Sequence, residues 1–188
     1  QHMPGLAVSL LGLPENEVRT LMTVAAKKIN APLTTSVGRW FDVVAALTGL
    51  CRSSSFEGQA AMMLEWSVAG QNPDLPPYAF DLGEEDGLLV VQPGRMLNEL
   101  IADQRAGRSP GTIAARFHHT LAELLVAVVR SQPEREVVLS GGCFQNRYLT
   151  ERCLQRLRAA GFTPYAHHLV PPNDGGISLG QAWVAAYG

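Results

Sequence analysis

Val137-Val138-Leu139-Ser140-Gly141-Gly142-Cys143-Phe144-Gln145-Asn146 is a short apolar run that ends in a Gly-Gly turn. A helix is expected directly after it, from about Asn146 to Ala160, with Gly161 as its stop. Thr163 to His167 reads as a second strand, and Pro171-Pro172-Asn173-Asp174-Gly175-Gly176 as a second Gly-rich turn. A last helix follows, to Ala186. Strand, Gly turn, helix, stated twice, is the grammar of an α/β domain. Both turns put small residues and one polar group at strand-to-helix junctions, where open α/β sheets bind ligands.

Upstream the pattern is mostly helical. Pro14 to Ile29 carries an apolar stripe of Val18, Leu21, Met22 and Ala25, with Glu15 and Glu17 near its positive end and Lys27-Lys28 near its negative end. Further helices are expected over Gly38 to Leu47, about Glu57 to Ala69, and Pro93 to about Arg105. A strongly apolar helix capped by Ser109-Pro110 runs to about Arg130 and should be central to the core. Tyr78 to Leu82 and Leu88 to Gln92 read as a hairpin joined by Gly83 to Gly87.

The chain has 188 residues, enough for one domain or one lobe of a bilobal domain. At 46% hydrophobic and 17% charged it can build a core. Its net charge of −2 is spread without a basic stripe, so nucleic acid is not an expected partner. The apolar run Leu121 to Val129 is short for a bilayer and contains Glu123, so no membrane role is expected. The three cysteines, Cys51, Cys143 and Cys153, show no CxxC pairing and fit a reducing cytoplasm. Gln1-His2-Met3 looks like a vector scar, making 4–188 one piece of a longer protein.

Each candidate site residue has two readings. Glycines Gly141 and Gly142 let backbone approach a ligand, and the following helix start offers N–H donors for phosphate; they also suit a plain tight turn. Asn146 can donate to and accept from a nucleotide. Asp174, in a rigid Pro-Pro/Gly-Gly frame, suits a metal ligand or an ordinary N-cap. Asp42, beside the apolar face of its helix, is a ribose-hydroxyl acceptor or a solvated position. Cys143 follows the glycines as a lowered-pKa thiol or a packed, inert one. His118-His119 and His167-His168 are adjacent pairs that diverge and make poor chelates.

Four segments occur in one order: Ser36-Val37-Gly38-Arg39-Trp40-Phe41-Asp42, Ser55-Phe56-Glu57-Gly58-Gln59-Ala60-Ala61-Met62, Leu139 to Asn146, and Pro171 to Gly176. Together they resemble the C-terminal part of the HypF carbamoyltransferase family, from about Leu10 to the end. The resemblance implies one lobe of an actin-like ATPase (ribonuclease H-like) domain, α/β and helix-rich with a small mixed sheet. It implies transfer of the carbamoyl group of carbamoyl-adenylate, made from carbamoyl phosphate and ATP, to the C-terminal cysteine of the partner HypE. That step serves the cyanide ligands of [NiFe] hydrogenase. By the same resemblance Asp42 meets the nucleotide ribose, Gly58, Gly141, Gly142 and Asn146 contact the adenine nucleotide, and Asp174 binds a divalent metal. The family's His-x-x-x-His metal motif is absent from this chain, so the remaining ligands are expected in another lobe of the same polypeptide. The alternatives are a TsaD-like tRNA threonylcarbamoyltransferase and a non-catalytic docking module of actin-like fold.

Overall fold

Ten residues in the middle of one helix are withdrawn from water: Gly111, Ile113, Ala114, Ala115, Phe117, His118, His119, Thr120, Ala122 and Val126. In a computed structural model that describes Val8 and residues 12–188, this helix is the fifth in chain order. The elements are α1 (Glu15–Ala26), α2 (Val37–Leu47), α3 (Gln59–Ser67), β1 (Asp81–Glu85), β2 (Leu88–Gln92), α4 (Gly94–Arg105) and α5 (Pro110–Val129). After them come β3 (Glu136–Leu139), α6 (Arg147–Ala159), β4 (Thr163–Ala166) and α7 (Ile177–Tyr187). Two 3-10 turns, Gly142–Gln145 and Asp174–Gly176, sit in the last third. The expected vector scar and the apolar opening from Leu6 fall almost wholly outside the described residues.

The chain divides into two units, residues 1–63 and 64–188. In the second, α5 packs on α4 and α6, and α6 packs on β4. Burying side chains such as Ile113, Phe117 and Val126 contributes roughly 1.5–3 kcal/mol each. Ser109 caps α5 as expected, accepting from the Thr112 N–H. The length and apolarity of α5 would also suit a membrane span. Its buried polar groups are nonetheless paired inside the protein: Thr120 Oγ1 accepts from the Tyr78 N–H at 2.8 Å, and both histidines are bonded.

The α/β grammar of the last third is present: β3 and β4 pair in parallel, Val138 opposite Tyr165. The expected single small mixed sheet is replaced, among the described residues, by two separate two-stranded sheets. The other is the β1–β2 hairpin, antiparallel, with Gly83 opposite Val90. Its first strand begins at Asp81, three residues later than expected, and runs through Gly83 to Glu85. The connection is the two-residue turn Asp86-Gly87, with φ of 52° and 76°. Two left-handed residues match the twist of a hairpin, so Asp-Gly outweighs the glycine at 83.

Helix α7 buries none of its residues. Ile177, Leu179, Trp183, Val184 and Tyr187 are all exposed along it.

Gly111 marks the closest approach in the core. A Cβ there would collide with the backbone carbonyl of Ser67 and lie 2.8 Å from Gln71 Nε2. Gly111→Ala is therefore expected to destabilise the chain by about 1–3 kcal/mol, read as a lowered urea midpoint. A midpoint equal to that of the wild type would mean that α5 is not held this close to the end of α3.

Candidate functional site

The first turn of α6 decides what the Gly-Gly segment can bind. Phosphate binding at a helix start needs unpaired N–H groups. Here they are taken. Glu65 Oε1 accepts from the N–H groups of Arg147 at 2.7 Å and Tyr148 at 3.2 Å. Asn146 Oδ1 accepts from the Leu149 N–H at 2.8 Å, and the Asn146 carbonyl from that of Thr150 at 3.0 Å. The expectation of open donors at this helix start is corrected: one carboxylate and one cap occupy them.

Asn146 itself is 7% exposed. Its Oδ1 caps the helix, which fixes the orientation of the amide and turns Nδ2 toward His118 Nε2, 2.9 Å away. His118 Nδ1 lies 2.7 Å from the Ala114 carbonyl, which can only accept. Nδ1 therefore carries the proton and Nε2 accepts from Asn146. His119 repeats the arrangement: Nδ1 donates to the Leu75 carbonyl at 2.7 Å, and Nε2 accepts from the Tyr148 hydroxyl at 2.7 Å. The Tyr148 ring stacks on His119 and meets His118 edge-on. The pair diverges less than expected, since both rings lie against Tyr148, and each anchors a residue at the start of α6.

The donors that stay open belong to the 3-10 turn before the helix. Gly141 has φ of 105°, a conformation open to glycine, and its N–H donates to the Pro172 carbonyl at 2.7 Å. That bond ties the two Gly-Gly turns together. Phe144 N–H and Asn146 N–H return to the carbonyls of Gly141 and Cys143. The N–H groups of Gly142 and Cys143 have no protein acceptor among the described residues. A Cβ on Gly142 would meet nothing within 4 Å, so packing does not require glycine there. Gly175 and Gly176 differ: a Cβ on either would press on Pro171, at 3.1 Å and 3.0 Å. His167, at the end of β4, reaches Ser140 Oγ at 3.2 Å.

Asp174 is exposed, and its carboxylate has no ion pair or hydrogen bond among the described residues; the cap of its 3-10 turn is Asn173. No group of three or more His, Cys, Asp or Glu gathers to hold a metal among the described residues. A single carboxylate falls short of the roughly three protein ligands of a catalytic site. Burial pushes the Cys143 thiol up, away from a reactive thiolate.

In the first unit, Asp42 is half exposed and pairs with Arg39 at 3.0 Å. It lines an open cleft of about 640 Å³ with Arg39, Arg52, Ser55 and Phe56. Gly58, with φ of 80°, lies between Glu57 and Ala60, which both line that cleft.

Burial lowers the His118 pKa to about 4 and moves that of His119 in the same direction. A folded-state pKa below the unfolded value of 6.5 means that unfolding takes up a proton. The stability from neutral His118, about 3 kcal/mol, is complete above pH 6.5 and is lost as pH falls toward 4. In urea titrations over that window, His118→Gln should show a shallower loss of stability with pH, by up to one proton. An unchanged slope would mean that His118 titrates normally.

Residues 5–181 match the family model for the carbamoyltransferase Kae1-like domain, second subdomain. The chain is 41% identical over 170 residues to carbamoyltransferase HypF of Rhodobacter capsulatus, covering 87% of this chain and 21% of that protein. It is 38% identical over 153 residues to carbamoyltransferase HypF of Synechocystis sp., covering 80% and 19%. A crystal structure of full-length HypF in its phosphate- and nucleotide-bound form superposes with a TM-score of 0.85 at 36% identity, over 96% of this chain and 24% of that one. The chain thus spans about a fifth of the length of these relatives.

Proposed function

We infer the function of this chain from the family it belongs to, the HypF carbamoyltransferases, in which it forms the second subdomain of the Kae1-like domain. Its role is to hold an adenine nucleotide for carbamoyl transfer. The observation that carries this reading is the pair of unpartnered N–H groups on Gly142 and Cys143, beside an open space that the fold does not fill. A relative of this fold has been solved with nucleotide bound. Two adjacent backbone donors suit an acceptor atom of such a ligand. Within the first unit, taken by itself, the half-exposed carboxylate of Asp42 in its open cleft suits a ribose hydroxyl as acceptor, with Gly58 in the adjoining turn.

The reaction we assign to the complete protein moves the carbamoyl group of carbamoyl-adenylate to the C-terminal cysteine of HypE. The bond from the carbonyl carbon to the phosphate oxygen breaks, and AMP leaves with its electron pair. A carbon–sulfur bond forms, and the thiol gives up its proton. The sulfur in this reading is the partner's; of this chain's own thiols Cys51 and Cys153 are buried, and burial raises the pKa of Cys143. Asp174 is the carboxylate this lobe would offer to a divalent metal, whose further ligands would come from other domains. Asn146, occupied within the protein, serves the nucleotide indirectly. Other domains of the longer polypeptide complete the site, and the exposed apolar length of α7 is the kind of surface such packing covers.

Gly142→Val tests this directly. Gly142 is exposed and a Cβ there meets nothing within 4 Å, so thermal unfolding should shift by less than about 4 °C. Calorimetric titration with ATP or AMP should show at least about tenfold weaker binding, worth about 1.4 kcal/mol. Wild-type affinity in the variant would place the nucleotide elsewhere.

A further inference from the structure

We propose that His118 is a positioning residue for the nucleotide turn, holding Asn146 so that the Gly142 and Cys143 N–H groups face a ligand. The inference rests on the nucleotide reading above.

The connection runs through few bonds. His118 lies wholly inside α5, and its Nε2 accepts from Asn146 Nδ2 at 2.9 Å. The other end of the same amide caps α6. Asn146 is thereby gripped from both sides, in an extended conformation of φ −69° and ψ 108°. At that conformation its own N–H points back to the Cys143 carbonyl, 3.2 Å away, closing the 3-10 turn. Thr150 Oγ1 adds a bond to the Phe144 carbonyl at 2.9 Å. Among the described residues the turn has no other side-chain anchor to α5 at its distal end, while Gly141 is fixed at the near end by the Pro172 carbonyl. If the amide loses its acceptor, Asn146 keeps its cap and its backbone bonds to Cys143 and Thr150, but the restraint that ties the turn to α5 is gone and the direction of its two donors shifts.

An imidazole suits this task for a chemical reason. Among neutral side chains it offers a rigid ring with one donor and one acceptor on opposite sides. The donor is spent on the Ala114 carbonyl, which leaves Nε2 able only to accept. Buried polar groups without partners are rare and costly, so the pair is self-consistent only in this tautomer. His119 braces the next residue but one, Tyr148, from the adjacent position of α5.

Three variants separate positioning from packing. His118→Leu removes the acceptor. His118→Gln restores one where Nε2 stood. Asn146→Ser keeps a good helix cap and removes the amide donor. Each is titrated with ATP by calorimetry, and its melting temperature and the Gly142 and Cys143 amide resonances are recorded. His118→Leu and Asn146→Ser should each weaken binding by about tenfold, the double variant no further, and His118→Gln by less than about threefold. Both amide resonances should move in the first two variants and stay in the third. Near-wild-type binding in Asn146→Ser with a normal melting temperature overturns the proposal, even if His118→Leu fails to fold. Equal losses in His118→Leu and His118→Gln overturn it too. A wild-type chain that binds no ATP would instead overturn the nucleotide reading, and the amide resonances would then decide the positioning claim by themselves.

Discussion

The bond between Asn146 and His118 is the constraint on which the last third of the structure rests. It joins the central helix α5 to the start of α6, where Asn146 Oδ1 and Glu65 accept from the N–H groups that an anion would otherwise use. With that terminus closed, the N–H groups of Gly142 and Cys143 in the preceding turn are left without a protein acceptor among the described residues, and the proposed function gives them the nucleotide. The two N–H groups left there are a smaller and more directional feature than a helix dipole. The neighbouring Gly-Gly turn is tied to it through one backbone bond, from Gly141 to Pro172.

The four glycines of these turns are present for different reasons. Gly175 and Gly176 are small because Pro171 leaves them no room. Gly141 is required by its φ. Gly142 alone is compatible with a Cβ on both counts, and the close approach of a nucleotide in the proposed function would account for its smallness. The same contrast separates the cysteines and carboxylates. Burial raises the Cys143 thiol pKa, whereas Asp174 is exposed and makes no ion pair among the described residues.

Much of the architecture was legible from periodicity and punctuation. Ser109-Pro110, the apolar stretch after it and the doubled strand-turn-helix pattern located α5, α6 and the parallel pair within a residue or two. The hairpin was shifted because Gly83 reads as a breaker, while pairing with Val90 absorbs it into a strand. The role of Asn146 was harder to see. Its residue type fits a cap and a ligand contact equally, and only long-range packing brings His118 within reach, twenty-eight positions upstream. A signal existed in two adjacent histidines inside an apolar helix, since buried polar rings must find partners. Glu65 carried no such signal: it looks like any surface acid on α3 until the fold delivers it to another helix.

A structure of this chain with an adenine nucleotide bound tests the account most directly. It should place an acceptor atom of the nucleotide within about 3.2 Å of the Gly142 or Cys143 nitrogen, with Asn146 still bonded to His118 and Leu149. A nucleotide held by the Asn146 side chain, with the His118 bond broken, would contradict it.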